Sequence, residues 1–322
     1  MFRYIMRRIG LAIVSMFIIM TMLFVLVKML PNPVPDGMGG QGRALVEMRR
    51  AWGYYDPIWT QYLIFLKRVF TEFNWGFCTT VGTFLQPVTE YLVSKVPFTV
   101  YINVFAEAIS IPLGIFFGMM AAIFKNKWQD QVINVFIMIF ISVPSFVYAF
   151  LLQYFIGFKL GLCPLVLKSG FDFFSWEMFH SAIMPILALS FGPIASYMRL
   201  IRAELSEVLT ADYMLLARTK GLTRWQATFK HAFRNSIIPI VPHFLWGFIG
   251  ILGGSILIER IFSVPGIGGV YITALNKKDY DVFMCLSMFW VVIGLFGGIL
   301  ADMSYGLIDP RIRMGGGKTN DY

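Results

Sequence analysis

Long apolar runs separated by short polar segments dominate the chain. Six of these runs reach the length of about 20 residues that a helix needs to cross a hydrocarbon core of about 30 Å. They lie near Ile9–Met29, Val100–Phe124, Val132–Phe158, Met178–Tyr197, Ile237–Ile258 and Val282–Leu300. The first run is too long for the apolar part of a signal peptide, and no A-x-A site follows it, so we expect a retained helix. The pattern predicts an all-α membrane protein with six transmembrane helices.

The basic residues between the runs predict the orientation, because short cytoplasmic loops are enriched in Lys and Arg. The sequence KNKWQDQ at 125–131 and the loop at 199–235 are both strongly basic. Both loops are cytoplasmic if the N-terminus is inside, and the C-terminus is then inside as well. The segment 31–96 is then extracellular, and its helix at Trp59–Phe70 is amphipathic, as is typical of a helix on or near the membrane surface.

The expected organisation has four parts. A cytoplasmic start and first helix (1–30) precede an extracellular cap (31–96), a five-helix core (97–303) that includes the cytoplasmic loop 200–235, and a cytoplasmic tail (304–322). Prolines lack an amide donor and interrupt helices, so we expect breaks within the spans. The prolines concerned are Pro144, Pro185, Pro193, Pro239 and Pro242.

Composition agrees with a membrane protein. The 322 residues are 57% hydrophobic and 14% charged, whereas about a quarter of the residues of a soluble domain are charged. Mean hydropathy is +0.69. The net charge of +9 fits basic cytoplasmic loops, and no nucleic-acid-binding motif accompanies it. The three cysteines, Cys78, Cys163 and Cys285, are scattered and predict neither a metal site nor a disulfide framework.

The sequence ARTKGLTRWQATFKHAFRN at 217–235 predicts a sharp corner between two short helices. Thr210 or Asp212 can cap the first helix, and Gly221 can end it in the left-handed conformation. Thr223 and Gln226 have the spacing of a capping box that starts the second helix. Trp225, Phe229, Ala232 and Phe233 then share one face, and Arg224, Lys230, His231 and Arg234 share the other.

Three interpretations of this basic corner remain open on physical grounds. The second helix can lie on anionic lipid headgroups, bind nucleic acid, or present a rigid knob to a cytoplasmic partner. The capped corner favours the knob, because a helix that only lies on lipid gains nothing from it.

The sequence DYMLLARTKGLTRWQATFKHAFRNSIIPIV resembles the cytoplasmic-loop signature of type I ABC importer permeases, in the form of the oligopeptide/dipeptide/nickel transport family. The subfamily pattern A-R-A-K-G-L followed by H-A-x-R-N is matched almost throughout, with Thr219 in place of its second Ala. Other similar segments follow in the family's order: MFRYIMRRIG, DPIWTQYL, VPFTVYIN, SVPSF, MPILALSFGPIASYMRLIRAELSEVL, ERIFSVPGIGG and LIDPRIR. The resemblance therefore covers essentially the whole chain.

The resemblance implies the type I ABC importer permease fold and a role as one transmembrane subunit of an ATP-driven importer of dipeptides or oligopeptides. The implied partners are a homologous second permease, two ATPase subunits and an extracellular substrate-binding protein. The chain itself binds no cofactor, and ATP and Mg²⁺ belong to the ATPase subunits. The helix that ends at Gly221 is then the coupling helix. The coupling residues carried over are Asp212, Tyr213, Leu216, Ala217, Arg218, Lys220, Gly221, Leu222, His231, Arg234 and Asn235. Relatives that move nickel chelates, opines or glutathione leave other solutes open.

Glu107 lies in the middle of a predicted span, where an ionisable group is costly and faces the bundle interior or a wet pathway. It can line the pathway or bond to a neighbouring helix. Further pathway candidates are Ser145 in SVPSF, Ser255 in the GGS sequence, and Glu259 at a turn expected near the outer mouth of the pore.

Two other classes of function make different demands on the sequence. A secondary transporter or channel is typified by inverted repeats or several intramembrane charges, and neither is evident. A membrane-embedded enzyme needs clustered ligands, but the three histidines, His180, His231 and His243, are too far apart for an H-x-x-x-H pair. The G-K-T near the C-terminus lacks the spacing and context of a phosphate-binding loop, so we expect no catalytic activity in this chain.

Overall fold

The computed structural model describes residues 2–31, 40–170 and 172–308. The described part is helical, with an isolated bridge between Phe77 and Pro87 as its β-type pairing. The helices are α1 Phe2–Met29, α2 Gly40–Ala51, α3 Ile58–Glu72, α4 Val88–Ile123, α5 Trp128–Ser142, α6 Ser145–Leu152, α7 Trp176–Val208, α8 Asp212–Thr219, α9 Arg224–Ala227, α10 Phe233–Ile237, α11 Val241–Gly250, α12 Ile256–Ile261, α13 Ile267–Asn276 and α14 Tyr280–Ile308. The turn-rich PNPVPDG sequence and the LIDPRIR and GGGK sequences of the tail lie largely or wholly outside the described residues.

Four of the described helices, α1, α4, α7 and α14, are long and apolar enough to cross a membrane. The pair formed by α5 and the helix after it adds a fifth candidate if the two count as one span. The segment predicted as a single span at Ile237–Ile258 is instead a series of short pieces. A 3₁₀ turn at Ile238–Ile240 joins α10 to α11, and a turn follows before α12. The count of six spans therefore stays a prediction.

The predicted span Val132–Phe158 is not a straight helix. It bends by 100° between α5 and α6. Val143 adopts an extended conformation with ψ of 124°, since the ring of the following Pro144 disfavours a helical conformation there. A π-helix at Gln153–Lys159 then continues α6. In contrast, Pro185 and Pro193 lie inside the unbroken α7, so the expected break at those two prolines is wrong.

The helices α4 and α7 pack closely along their length. A Cβ atom on Gly118 would come within 2.9 Å of Ile201, and one on Gly114 would collide with Tyr197. Small residues at such positions let two backbones approach each other. The hydroxyl of Ser110 also donates to the carbonyl of Ser190 across the interface, at 3.3 Å.

The segment after α1 packs against α1 and α14. The predicted helix at Trp59–Phe70 is confirmed as part of α3, and the ring of Phe65 contacts that of Phe24 on α1 with centroids 5.2 Å apart. Trp59 and Leu63 on α3 are exposed, which agrees with a surface-lying helix, although its place at the membrane stays a prediction.

Asp279 anchors the same segment to the start of α14. Its Oδ2 accepts hydrogen bonds from the backbone amides of Thr79, Thr80 and Val81 at 2.8, 2.8 and 2.9 Å. A carboxylate that accepts several amide bonds makes strong, charge-assisted contacts. No sequence pattern predicts this contact, because Asp279 lies 200 residues after Thr79.

Two ion pairs join segments that were predicted to share the cytoplasmic side. Arg202 on α7 contacts Asp130, at the start of α5, with Nε to Oδ1 at 2.6 Å and Nη2 to Oδ2 at 2.8 Å. Arg8 on α1 contacts Asp302 on α14 at 3.2 Å. The pairs agree with the predicted grouping of the loops, while the orientation of the termini stays a prediction.

Candidate functional site

The basic loop folds as the predicted corner. The helix α8 ends at Thr219, and Gly221 has a φ of 88°, a region that favours glycine. The amide of Gln226 donates to Thr223 Oγ1 at 3.3 Å, and Gln226 Oε1 accepts from the amide of Thr223 at 3.0 Å. The capping box and the left-handed glycine are therefore both confirmed.

The start of α8 differs from the expectation. Its N-cap is Ala211, and no side chain caps the helix. The hydroxyl of Thr210 instead donates to the carbonyl of Glu207 at 2.8 Å. Only three residues separate the end of α7 from the start of α8, and the Thr210 hydroxyl bonds back to α7 within this short turn.

Ala217 faces the interior of this chain, which corrects the expectation that it faces a partner. It is 8% exposed and belongs to a buried cluster. The other buried members are Ala122, Leu205, Met214, Ala227 and Ala232. A small side chain at 217 lets α8 pack against α9 and the segment after it, so its steric role is internal.

Several exposed side chains of the corner are apolar or aromatic. Leu215 is 67% exposed and Leu216 is 56% exposed, and Tyr213 lies nearby on α8 with its side chain exposed. Trp225 and Phe229 are also half exposed, and their rings stack with centroids 6.0 Å apart. Exposed apolar patches of this kind mark interaction sites.

Most of the other residues predicted for the loop are exposed as well. Asp212, Arg218, Lys220, Gly221, Arg234 and Asn235 are exposed, and Leu222 and His231 are half-buried. The amide of Asn235 donates to the hydroxyl of Tyr213 at 3.2 Å, which ties the second helix to α8. The structure therefore places the predicted loop residues on one helix–Gly–helix corner, with Ala217 buried inside it.

Glu107 lines a cavity of about 470 Å³ between α4, α7 and α11. Its carboxylate accepts a short hydrogen bond from the hydroxyl of Tyr197 on α7. His243 lies edge-on to the Tyr197 ring and 3.3 Å from the hydroxyl of Ser196. The other lining residues are Asn103, Ala106, Leu189, Gly192, Pro193, Trp246, Gly247, Gly250 and Ile251. Glu107 thus bonds to a neighbouring helix, which is one of the two roles left open by its sequence. It also faces a cavity, while its role in the pathway stays a prediction.

The other pathway candidates do not line this cavity. Ser145 is exposed at the start of α6, and Ser255 is half-buried at the N-cap of α12. Glu259 is fully buried. Its Oε1 accepts from the hydroxyl of Thr99 at 2.8 Å, and its Oε2 accepts from the amide of Gly269 at 3.0 Å. These bonds hold the glycine-rich turn after α12 against α4.

Sequence reasoning missed Tyr197, His243 and Gly247 in the cavity. The sequence feature that could have predicted a residue such as Tyr197 is Glu107 itself, since a buried carboxyl requires a hydrogen-bond partner. Gly247 is needed because a Cβ there would collide with Glu107 and Tyr197. Among the described residues no group of three or more His, Cys, Asp or Glu is placed to hold a metal ion, and all three cysteines are free.

The geometry defines a class of protein: a helical membrane protein with a cavity between its helices and a helix–Gly–helix corner between two of its apolar segments. Two family comparisons agree with this class. Residues 114–314 match the binding-protein-dependent transport system inner membrane component, and residues 1–103 match the N-terminal membrane component of the same systems. The chain belongs to this family of transport-system membrane components.

Curated relatives align along the whole chain. The dipeptide transport system permease protein DppB of Lactococcus lactis subsp. cremoris is 35% identical, over 98% of this chain and 100% of the relative. The oligopeptide transport system permease protein OppB of Mycoplasma genitalium is 34% identical, over 98% of this chain and 77% of the relative. DppB of Bacillus subtilis is 31% identical, over 98% of this chain and 99% of the relative. The family resemblance seen in the sequence is confirmed.

Solved structures share the fold. An amino acid ABC transporter with histidines is similar with a TM-score of 0.52 and 19% identity, over 67% of this chain and 94% of that chain. The MetNI methionine ABC transporter, in an inward-facing conformation, gives a TM-score of 0.52 and 15% identity, over 67% of this chain and 97% of that chain. These structures show that the helical core has the fold of ABC importer permeases.

Proposed function

We propose that this chain is a transmembrane permease subunit of an ATP-driven importer that takes up dipeptides or oligopeptides delivered by an extracellular substrate-binding protein. Full-length similarity to the dipeptide and oligopeptide permeases supports the substrate class. The cavity beside Glu107 is this chain's contribution to the pathway, which it shares with a homologous second permease.

The ATPase subunits bind the corner formed by α8 and α9. The observation that carries this proposal is the exposure of Tyr213, Leu215 and Leu216 on α8 and of the stacked pair Trp225 and Phe229 after the corner. These side chains flank a corner that is defined by Gly221 and a capping box. A rigid apolar knob transmits a push from a partner, and its burial is favourable at about 25 cal/mol per Å² of apolar area. ATP hydrolysis takes place on the two ATPase subunits.

The orientation that follows places both termini and the corner in the cytoplasm. The segment from α2 to α3 is then extracellular, where it can meet the binding protein. The ion pairs Asp130–Arg202 and Arg8–Asp302 support a common side for the inner loops and the inner ends of α1 and α14.

The test is uptake of a radiolabelled dipeptide and a radiolabelled pentapeptide by the complete complex in proteoliposomes. We expect uptake that requires ATP and the binding protein. Leu216→Asp should abolish both uptake and co-purification of the ATPase subunits, while the chain remains in the membrane. The matched control is Arg224→Ala combined with Lys230→Ala, which removes basic charge from the same corner at two positions outside the predicted coupling residues and should leave co-purification intact. Co-purification that is retained in Leu216→Asp but lost in this double variant would contradict the knob and favour binding to lipid headgroups.

A further inference from the structure

A second cavity, of about 600 Å³, lies between α1, α2, α3 and the start of α14. It is separate from the cavity beside Glu107. Three cationic side chains, Lys28, Arg49 and Arg68, line it together with a carboxylate, that of Asp281. The other lining residues are aromatic or apolar for the most part: Phe24, Val27, Leu30, Trp52, Tyr54, Tyr55, Ile58, Gln61, Ile64, Phe65, Tyr280 and Met284. The site therefore combines an excess of positive charge with apolar walls.

The carboxylate of Asp281 is already engaged. Its Oδ1 accepts from the hydroxyl of Tyr54 at 2.9 Å, and its Oδ2 lies 3.4 Å from the amide of Phe77. Two of the three cations, Lys28 and Arg68, contact aromatic rings instead. Lys28 Nζ is 3.7 Å from the centroid of the Tyr54 ring, and the guanidinium of Arg68 is 3.9 Å from that of Trp52. Lys28 and Arg68 alone thus outnumber the carboxylate among the described lining residues.

Arg68 carries a clear sign of an incomplete site. The residue is only 8% exposed, and its Nε has no hydrogen-bond partner among the described residues. A buried charge is costly unless it is paired and hydrogen-bonded. An anion with several acceptor oxygens would satisfy the guanidinium, because Arg binds phosphate and carboxylate with two parallel hydrogen bonds.

The position of the cavity along α1 points to the source of that anion. Arg8 forms an ion pair with Asp302 near the other ends of α1 and α14. Lys28 lies 20 residues after Arg8, and a helix rises about 1.5 Å per residue, which gives about 30 Å. This distance equals the thickness of the hydrocarbon core. If Arg8 and Asp302 lie at one membrane surface, the cavity lies at the level of the headgroups on the opposite surface.

We propose that this cavity binds the phosphate headgroup of an anionic phospholipid, with Arg68 and Lys28 as the residues that contact the phosphate. The apolar walls from Phe24, Val27 and Met284 lie on the membrane helices, where they would contact the start of the acyl chains. Basic pockets beside membrane helices bind lipid headgroups in this way. The bound lipid holds the segment from α2 to α3 on α1 and α14.

The experiment measures which lipids the purified assembly retains. The complete complex is extracted from vesicles of equal parts phosphatidylglycerol and phosphatidylcholine, and retained lipid is identified by native mass spectrometry. We expect phosphatidylglycerol to be retained in preference to phosphatidylcholine. Arg68→Gln should lower that retention about tenfold, the change that corresponds to roughly one charge-assisted hydrogen bond. Lys67→Gln is the matched control, because Lys67 is exposed on the same helix and does not line the cavity.

A second variant and a second measurement guard against a folding defect in Arg68→Gln. Lys28→Met should also lower retention, and the melting temperature of the native complex should rise with added phosphatidylglycerol but less in either variant. Equal retention in Arg68→Gln, Lys28→Met and Lys67→Gln would overturn the proposal, since the chain's own groups would then satisfy the cations. Equal stabilisation by inorganic phosphate alone would overturn the lipid assignment and leave a site for free phosphate.

Discussion

Arg202 holds the carboxylate of Asp130 through two hydrogen bonds, at 2.6 and 2.8 Å, and so fixes the start of α5 to α7. The side chain of Asp130 is only 3% exposed, and that of Arg202 is 28% exposed. Asp130 also accepts from the amide of Asn126 at 2.9 Å and from the side-chain amide of Asn134 at 2.9 Å. The short loop between α4 and α5 is therefore built around one buried carboxylate.

Removal of one partner of this pair should destabilise the protein. Arg202→Gln leaves the buried carboxylate without its counter-charge, and we expect a loss of about 2–4 kcal/mol in the free energy of unfolding. The measurement is the melting temperature in detergent, with Arg199→Gln as the control because Arg199 is exposed on the same helix. The double variant Asp130→Asn with Arg202→Gln should be less unstable than the sum of the single variants. Additive losses would mean that the two side chains do not interact.

Gly221→Val should uncouple the transporter. Among the described residues, no atom beyond the chain neighbours of Gly221 lies within 4 Å of a Cβ at this position, so the cost comes from the positive φ of 88°. We expect a strain of about 1–3 kcal/mol and a misdirected α8. Gly221→Asn is the matched control, because Asn tolerates the left-handed conformation. The measurement is substrate-stimulated ATPase activity of the reconstituted complex. Normal stimulation in Gly221→Val would refute the coupling role, and a larger defect in Arg224→Ala with Lys230→Ala would favour lipid binding.

Glu107→Gln should change transport only modestly. The amide oxygen of Gln can still accept the hydrogen bond from Tyr197, so the link between α4 and α7 is kept. The assay is ATP-dependent peptide uptake normalised to assembled complex. If uptake is lost completely while the complex assembles normally, Glu107 contacts the solute and its charge is essential to the pathway.

Gly247→Ala should disrupt the cavity far more than Gly250→Ala. A Cβ at 247 collides with the carboxylate of Glu107 and the hydroxyl of Tyr197, whereas a Cβ at 250 meets no atom within 4 Å. Overpacking of this kind costs about 1–3 kcal/mol. Both glycines line the cavity from α11. A difference between the two variants therefore reports the effect of the collision at position 247. Similar melting temperatures and uptake in the two variants would show that α11 does not pack as described.

The native cysteines report on topology and burial. Cys163 is half-buried, in the connection before α7, whereas Cys78 and Cys285 are buried. Burial also raises the pKa of the Cys78 thiol to about 12, so little reactive thiolate forms at neutral pH. With an inside N-terminus, a membrane-impermeant maleimide should label Cys163 in intact cells or spheroplasts, and not Cys78. Labelling of Cys163 only after the membrane is opened would reverse the predicted orientation.

Sequence-based predictions were accurate where a feature depends on neighbouring residues, and they failed where it depends on contacts between distant parts of the chain. The corner at Gly221 was predictable because a left-handed glycine and a capping box act within five residues. The burial of the Ala217 side chain was not predictable, because it depends on how α8 packs against distant parts of the chain. The cavity partner Tyr197 lies 90 residues from Glu107, and sequence periodicity carries no register between helices.

Proline positions show the same limit. Pro144 bends its span, and Pro185 does not, although both lie in apolar runs. The difference is in the surroundings. Pro185 is buried within α7, where neighbouring helices hold the chain straight, whereas Pro144 is exposed.

The close approach of α4 and α7 at Gly114 and Gly118 determines where this molecule can move. At these two positions the backbones leave no space for a side chain, and such close packing limits how far α4 and α7 can move relative to each other. The opposite wall of the Glu107 cavity is α11, which is only ten residues long and is joined to α10 by a 3₁₀ turn. A change in the width of the cavity is therefore expected to involve α11 and the irregular turn before it more than the close-packed α4 and α7.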